Sequence, residues 1–371
     1  MRVVVFTHSL VSCWNHGNAH FLRGVAAELQ ARGHVVSILE PRDGWSRANL
    51  VAEHGEEALR AFAQRFPHLR SRLYDPRRLD LGAALDGADL VLVHEWNDPE
   101  LVRRVGERRT RAGFRLLFHD THHRSVTKPA EMARYDLSRY DGVLAYGRVI
   151  RDLYLERGWA ARAWTWHEAA DVRVFHPVLG RERRGDLVWI GNWGDGERTA
   201  ELRRFLLRPA RALRLSGSAF GVRYPERAKR EVATTGLAYH GWVANYRVPL
   251  LFAEHAVTMH VPRRPYAERL PGIPTIRPFE ALASGIPLVS APWEDAEGLF
   301  RTGVDYLVAR DALEMRRRLR EVLGDPGLAR SLVQHGLETI RTRHTCGHRV
   351  DELLAVAAEV GVDVTPEEAV A

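Results

Sequence analysis

Residues 272–290 read GIPTIRPFEALASGIPLVS, and this stretch decides the architecture. Pro278 suits the first turn of a helix, where its missing N–H would have no partner anyway. Glu280, Ala281, Leu282 and Ala283 carry the helix on, Gly285 caps it, and Pro287 stops it before an apolar strand at Leu288–Ser290. A helix fed by a tight Pro/Gly loop and followed at once by a buried strand is one beat of an alternating β/α chain. Such a loop also exposes first-turn N–H groups and the positive end of the helix dipole, a seat for phosphate or diphosphate. Pro274, Thr275, Ile276 and Arg277 would form that seat, with Arg277 as a planar two-pronged donor and Glu280 accepting bonds from two vicinal hydroxyls of a ribose. The residues fit equally well a plain loop–helix–strand unit in which Glu280 merely favours the dipole.

The alternation continues in both directions. Strands are expected at Val3–Phe6, Val35–Leu39, Ala88–His94, Arg115–His119, Gly142–Tyr146 and Ala161–Trp166, and a helix at Ala19–Arg32 that Gly33 ends. Around Asp171–Gly185 (DVRVFHPVLGRERRG) the pattern loosens into a charged stretch bearing Pro and Gly, which reads as a linker. A second series then starts with Leu187–Ile190 and a helix from about Thr199. It continues with strands at Leu213–Leu215, Leu237–His240, Val257–Val261, Leu288–Ser290 and Tyr306–Val308, and ends in helices at Ala312–Leu323, Gly327–Arg341 and Gly347–Val360. The expected chain is two doubly wound, Rossmann-like α/β domains facing each other across a cleft. Their bounds are 1–170 for an acceptor domain, 171–185 for the linker, 186–345 for a donor domain and 346–371 for a C-terminal helix and tail.

Composition narrows the function classes. The 371 residues are 45% hydrophobic and 27% charged, as in an ordinary globular protein, and a chain this long carries two cores comfortably. No apolar run reaches membrane-helix length, so no transmembrane segment is expected, although peripheral membrane contact stays open. Val3–Phe6 is cut short by Thr7 and His8 and reads as a strand rather than a leader. Cys13 and Cys346 are the only cysteines, which suits a reduced cytoplasm and frames neither disulfides nor zinc. The net charge of +7 is almost all arginine, with Lys128 and Lys229 the only lysines, and acidic residues are interspersed, so nucleic acid is not expected as a partner. The sequence has no Asp-x-Asp, no HExxH and no Cys/His ligand spacing, so neither a metal nor another cofactor is expected.

Three more segments carry candidate chemistry. After Leu187–Ile190 comes Gly191-Asn192-Trp193-Gly194, then Arg198 where a helix opens; the glycines permit close backbone approach, and Arg198 could pair with phosphates or lie on the surface. The cluster His119-Asp120-Thr121-His122-His123 ends a buried strand, either as a polar loop or as a site in which His119 acts and Asp120 orients it or binds an acceptor hydroxyl. In Trp14–Asn18, Gly17 permits close approach to a ligand, and Asn15 or Asn18 could simply cap the next helix.

RPFEALASGIPLV closely resembles the donor segment of the GT-B glycosyltransferases of family 4 (glycosyl transferases group 1), and PTIRPFEALASG is most similar to their CgeB-like branch. Further pieces match in order: HEAADVRVFHP at 167–177, Phe118-His119-Asp120, His240-Gly241-Trp242-Val243, and the tail Gly336–Leu354 with His344, Thr345 and Arg349. The resemblance implies a GT-B fold whose C-terminal helix returns to the first domain. It implies sugar transfer from a nucleoside-diphosphate sugar to a sugar, protein, lipid or small-molecule acceptor, with retention of configuration and without a metal. By the same resemblance Gly17, Gly191, Asn192, Arg198, Trp242, Val243, Pro274, Thr275, Ile276, Arg277 and Glu280 bind the donor, and His119, Asp120 and Glu280 serve catalysis. One departure stands out: the first Glu of the family's motif falls on Gly272, so donor identity does not carry over. A nucleotide-sugar epimerase of the same architecture and a non-catalytic bilobed binder are the rival expectations.

Overall fold

The computed structural model describes residues 1–365 and divides the chain into two compact units. One comprises residues 1–167 together with those from 346 on, the other residues 168–345. The last residues of the expected tail, 366–371, lie outside the described residues.

The first unit is a seven-stranded parallel sheet of β1 (Arg2–Phe6), β2 (Val35–Pro41), β3 (Ser71–Tyr74), β4 (Leu90–His94), β5 (Arg115–Asp120), β6 (Gly142–Ala145) and β7 (Ala163–Thr165). Its order is β3-β2-β1-β4-β5-β6-β7, so the direction of winding reverses between β1 and β4. The central strands LVLVH and RLLFHD are buried on both faces or nearly so, as a sheet covered by helices demands. Strand β3 has no counterpart in the sequence reading. Its four residues, SRLY, sit at the sheet edge with only Tyr74 buried, so no hydrophobic pattern marks them. The helix Cys346–Glu359 belongs to this unit, as expected of a returning C-terminal helix. Arg32 donates to the Gly347 carbonyl at 3.1 Å, and the Trp166 indole N–H to that of Arg349 at 2.8 Å.

The second unit holds a six-stranded parallel sheet of β8 (Gly185–Ile190), β9 (Gly217–Phe220), β10 (Leu237–Tyr239), β11 (His255–His260), β12 (Leu288–Ser290) and β13 (Leu307–Val308). The order β10-β9-β8-β11-β12-β13 reverses between β8 and β11. Of residues 171–185, read as a linker, 171–184 are irregular and Gly185 begins β8, all within this unit. The expected strand at Leu213–Leu215 is wrong: Leu213 ends the helix Arg208–Leu213, Arg214 turns left-handed at φ 53, and the strand is Gly217–Phe220. That strand, GSAF, uses small residues because it packs hard on β8; a Cβ on Gly217 would lie 1.8 Å from the Leu187 carbonyl oxygen. Such a strand does not advertise itself by hydrophobicity. No helix among the described residues is long and apolar enough to cross a membrane.

Candidate functional site

In open α/β sheets ligands bind at the carboxyl ends of the strands, where the winding reverses. In the second unit that place lies between β8 and β11, and Arg198 spans it. The guanidinium donates to the Asn192 carbonyl beyond β8 and, from Nη1 at 3.1 Å, to the Val261 carbonyl beyond β11. It lies 5.3 Å from the centre of the Trp189 ring, and its Nε is buried with no partner. Arg198 has no carboxylate partner among the described residues, and burial, reinforced by Arg263 and Arg277, works against its charge. The neighbouring arginines are neutralised. Arg263 donates to Glu197 at 2.8 Å, and Arg277 is ion-paired with Glu280, three residues on in the same helix. A cation held this way costs free energy unless an anion joins it.

The glycines of this turn are closely packed. A Cβ on Gly194 would sit 2.6 Å from Arg198 Cγ, and one on Gly191 would meet Trp189 at 2.7 Å and Arg198 Nη2 at 3.2 Å. They clear space for the arginine. Asn192 pins the loop by accepting from the Val222 N–H at 3.1 Å. Gly194→Ala, at φ +93, is therefore expected to cost about 1–3 kcal/mol and to displace Arg198. The measurement is a melting curve taken beside a nucleoside-diphosphate titration, and both should worsen together.

The segment 272–285 forms the helix Ile276–Ser284, closed by Gly285 at φ 69. Its N-cap, Thr275, has φ 63 and ψ −179 and makes no side-chain cap bond. A β-branched residue in that almost glycine-only region carries strain, which persists where a site needs the backbone so aimed. The uncapped start of this helix is close to the arginines: Arg198 and Arg277 both disfavour protonation of buried His260, which burial already holds down to about 3. His260 Nδ1 is 2.9 Å from the Ser290 hydroxyl. The start of this helix, from Pro274 to Arg277, thus lies near His260 and Arg198. Trp242 and Val243 are half-buried beyond β10, two strands from β8, or about 10 Å by strand spacing.

Gly272, at φ +86, is explained by Glu297. A Cβ at 272 would fall 2.6 Å from both Cγ and Oε1 of that glutamate. The Gly272 N–H donates to the Glu294 carbonyl at 2.7 Å, tying the two loops together. A carboxylate does stand beside residue 272, delivered from 25 residues downstream, where motif counting could not find it.

The first unit gathers histidines at the ends of β1, β4 and β5. Ring centres are 4.9 Å apart for His8 and His16, 6.4 Å for His16 and His94, and 5.3 Å for His94 and His119. Burial lowers all four; His8 falls to about 4 and His119 to about 3, so they are neutral near pH 7. His119 packs edge-on to Trp166 at 4.8 Å, and its Nε2 is buried without a partner. His119 stood out in the sequence, whereas His8 and His16, in the loop after β1, and His94, at the end of β4, did not.

Asp120 does not orient His119. Neighbouring residues of a strand point to opposite faces, and Asp120 turns into the interior, accepting from the Tyr154 hydroxyl at 2.9 Å and the His122 N–H at 3.0 Å. It is fully buried. A second carboxyl missed by sequence, Glu95, is ion-paired with Arg124; burial and Asp120 push it upward while Arg124 pulls it back. Near the N-terminus the left-handed residue is Asn15 (φ 49), whereas Gly17 is exposed, and Asn18 makes no side-chain cap bond. The loop is held instead by Arg23, which donates to the Leu10 and Val11 carbonyls at 2.8 Å, and by Glu40, which accepts from the Leu10 N–H at 2.6 Å. Among the described residues no group of three or more His, Cys, Asp or Glu could hold a metal ion.

Comparison with known proteins agrees with this picture at the level of fold. Residues 198–355 match the family described as glycosyl transferase-like. No curated protein matches the sequence. The sucrose-phosphate synthase of Thermosynechococcus elongatus is 15% identical with a TM-score of 0.65, over 97% of this chain and 99% of that one. Anabaena HepE in complex with UDP is 12% identical with a TM-score of 0.66, over 97% and 100%. T4 phage BGT in complex with UDP and Mn2+ is 11% identical with a TM-score of 0.62, over 96% and 99%. Two reversing parallel sheets with this strand order are the GT-B fold, and residues 198–355 carry a glycosyl transferase-like region within it.

Proposed function

We propose that the protein transfers a sugar from a nucleoside-diphosphate donor to an acceptor, with the donor's diphosphate gripped by Arg198, Arg277 and the first turn of Ile276–Ser284. The observation that carries this is Arg198: a guanidinium in the fold's ligand-binding position, half ringed by carbonyls and lacking a counter-ion. When the bond from the anomeric carbon to the diphosphate oxygen breaks, negative charge grows on the leaving diphosphate. Fixed cations and a helix N-terminus aimed there stabilise that change most where solvent is scarce. In the first unit, neutral His119 is the group we assign to the reacting sugar. The family 4 resemblance, with its CgeB-like variant, supports retention of configuration, a cytoplasmic setting and action without a metal; the arginines would supply the charge a divalent cation otherwise brings. Anabaena HepE and T4 phage BGT have both been solved with UDP-glucose, which makes it the first donor to try.

A thermal-shift panel of nucleoside diphosphates and their sugars tests the proposal. A ligand at a hundred times its Kd stabilises by about 2.7 kcal/mol, so one base should stand out, with and without EDTA. No shift from any diphosphate would contradict it. Glu280→Gln separates two roles of a nearly fully buried carboxylate. As a ribose grip its loss weakens donor binding by about 1–3 kcal/mol, the expected result. Tighter binding would reduce Glu280 to the counter-ion of Arg277.

A further inference from the structure

Only two tryptophans are exposed among the described residues, Trp45 at 43% and Trp96 at 41%, and they converge on one place. Trp45 opens the helix that follows β2, and Trp96 follows β4. Both flank His8, which follows β1, at ring-centre distances of 6.3 and 6.0 Å and tilts of 32° and 43°. Strands β2, β1 and β4 are neighbours, so the rings meet where the first sheet reverses its winding, the ligand position of such sheets. Exposed indoles are costly to solvate and are kept where something covers them.

The rings are also held rigid. Trp14 packs edge-on to Trp45 at 5.0 Å, and its indole N–H donates to Glu53 at 2.7 Å. The Arg124 guanidinium lies 4.1 Å from the centre of Trp96 and is fixed in turn by Glu95. His122 meets the edge of Trp96 at 5.0 Å. Arg124 covers one face of Trp96, so its exposure lies on the other face and the remaining edge. Pre-set rings of this kind bind without paying to be ordered.

We propose that Trp45, Trp96 and His8 form a platform for a pyranose ring, and that the acceptor of this enzyme is a carbohydrate. The acceptor label rests on the transferase reading above; the platform does not. Three features choose a sugar over other occupants. The C–H face of a pyranose is apolar and flat, and it suits the negative face of an aromatic ring. His16 packs against His8 at 4.9 Å, and its buried Nε2 has no partner, so the ground under His8 holds a polar group that a hydroxyl satisfies and a hydrocarbon chain does not. The charge here is also balanced, since His8 and His16 are neutral near pH 7 and Arg124 is paired with Glu95. An anionic ligand gains nothing from such a surface, and a neutral polyol, donor and acceptor at each hydroxyl, matches neutral imidazoles well.

The test uses the full chain with saturating UDP, titrated calorimetrically with the methyl pyranosides of glucose, galactose, mannose and N-acetylglucosamine. At least one should bind. Trp45→Ala and Trp96→Ala should each weaken it about tenfold, with Trp→Phe retaining most of the affinity and the UDP thermal shift unchanged. Failure of every pyranoside to bind while UDP still binds would overturn the platform and leave the transferase reading intact. Stronger binding of phenol or 1-octanol than of any pyranoside, or indifference to both alanine variants, would overturn it as well. Tryptophan-dependent glycoside binding without any response to nucleoside diphosphates would keep the platform and remove the transferase reading.

Discussion

Arg198→Met is expected to cut nucleoside-diphosphate affinity by a hundredfold or more while changing the melting temperature of the ligand-free protein comparatively little. Truncating one member of a buried, hydrogen-bonded charge pair costs about 2–5 kcal/mol of binding, and the proposed diphosphate would be the anion that pairs with Arg198. In the absence of ligand the substitution has two opposed effects. It removes an uncompensated guanidinium that burial and the nearby Arg263 and Arg277 already penalise. It also strips a donor from the Asn192 and Val261 carbonyls, about 1 kcal/mol for each bond. The two nearly offset, so binding and stability should separate. A purely structural Arg198 would give the opposite result: a large fall in melting temperature, with unchanged affinity in whatever remains folded. Calorimetric titration and differential scanning calorimetry on one preparation distinguish these outcomes.

The second large effect is acid sensitivity of the first unit. His8, His16, His94 and His119 are buried and neutral, each held below the ordinary value of 6.5 chiefly by burial. The unfolded chain takes up a proton on each near 6.5, whereas the folded chain does not until far lower pH. Their stability is therefore fully present above the unfolded value and is lost as pH falls below it, at up to about 1.4 kcal/mol per group per pH unit. Glu95 and Asp120 act in the other sense. Burial raises both, so the folded state holds their protons more tightly than the unfolded chain does, and between the unfolded and folded values stability falls as pH rises. With four groups against two, the net slope below the histidine value is on the order of 3 kcal/mol per pH unit, with stability falling toward acid. Denaturant titrations at about pH 7.5 and about pH 5.5 should show it in the transition of the first unit, and His94→Leu should flatten the slope. Equal stability at the two pH values would contradict the buried neutral cluster.

How far these features were legible in the sequence follows from what each one depends on. The two sheets could be read because LVLVH, RLLFHD and LVWI are continuous apolar runs set between helical periods. Strands β3 and β9 could not: one is a half-exposed edge, and the other is built of Gly, Ser and Ala by the closeness of β8. The positions of Arg198, Thr275 and Arg277 at helix starts were readable because helix starts leave local signatures. Strain at Thr275 was not, since nothing in the letters PTIR announces a positive φ. That Asp120 does not orient His119 was already legible, because the two-residue period of a strand separates them. The histidine cluster, the Trp45–Trp96 pair and the apposition of Glu297 to Gly272 all join segments remote in sequence. Topology alone brings them together, and no spacing rule spans such gaps.

The central claim, a diphosphate held by Arg198 at the start of Ile276–Ser284, is tested most directly by comparing phosphate number within one nucleoside. The base that gives the largest thermal shift should be titrated calorimetrically as nucleoside, monophosphate and diphosphate, against wild type and Arg198→Met. The predicted result is a diphosphate at least about tenfold tighter than the monophosphate in wild type, about 1.4 kcal/mol, with that advantage lost in the variant. Equal affinities for the two nucleotides, or a diphosphate advantage that survives the loss of Arg198, would contradict it.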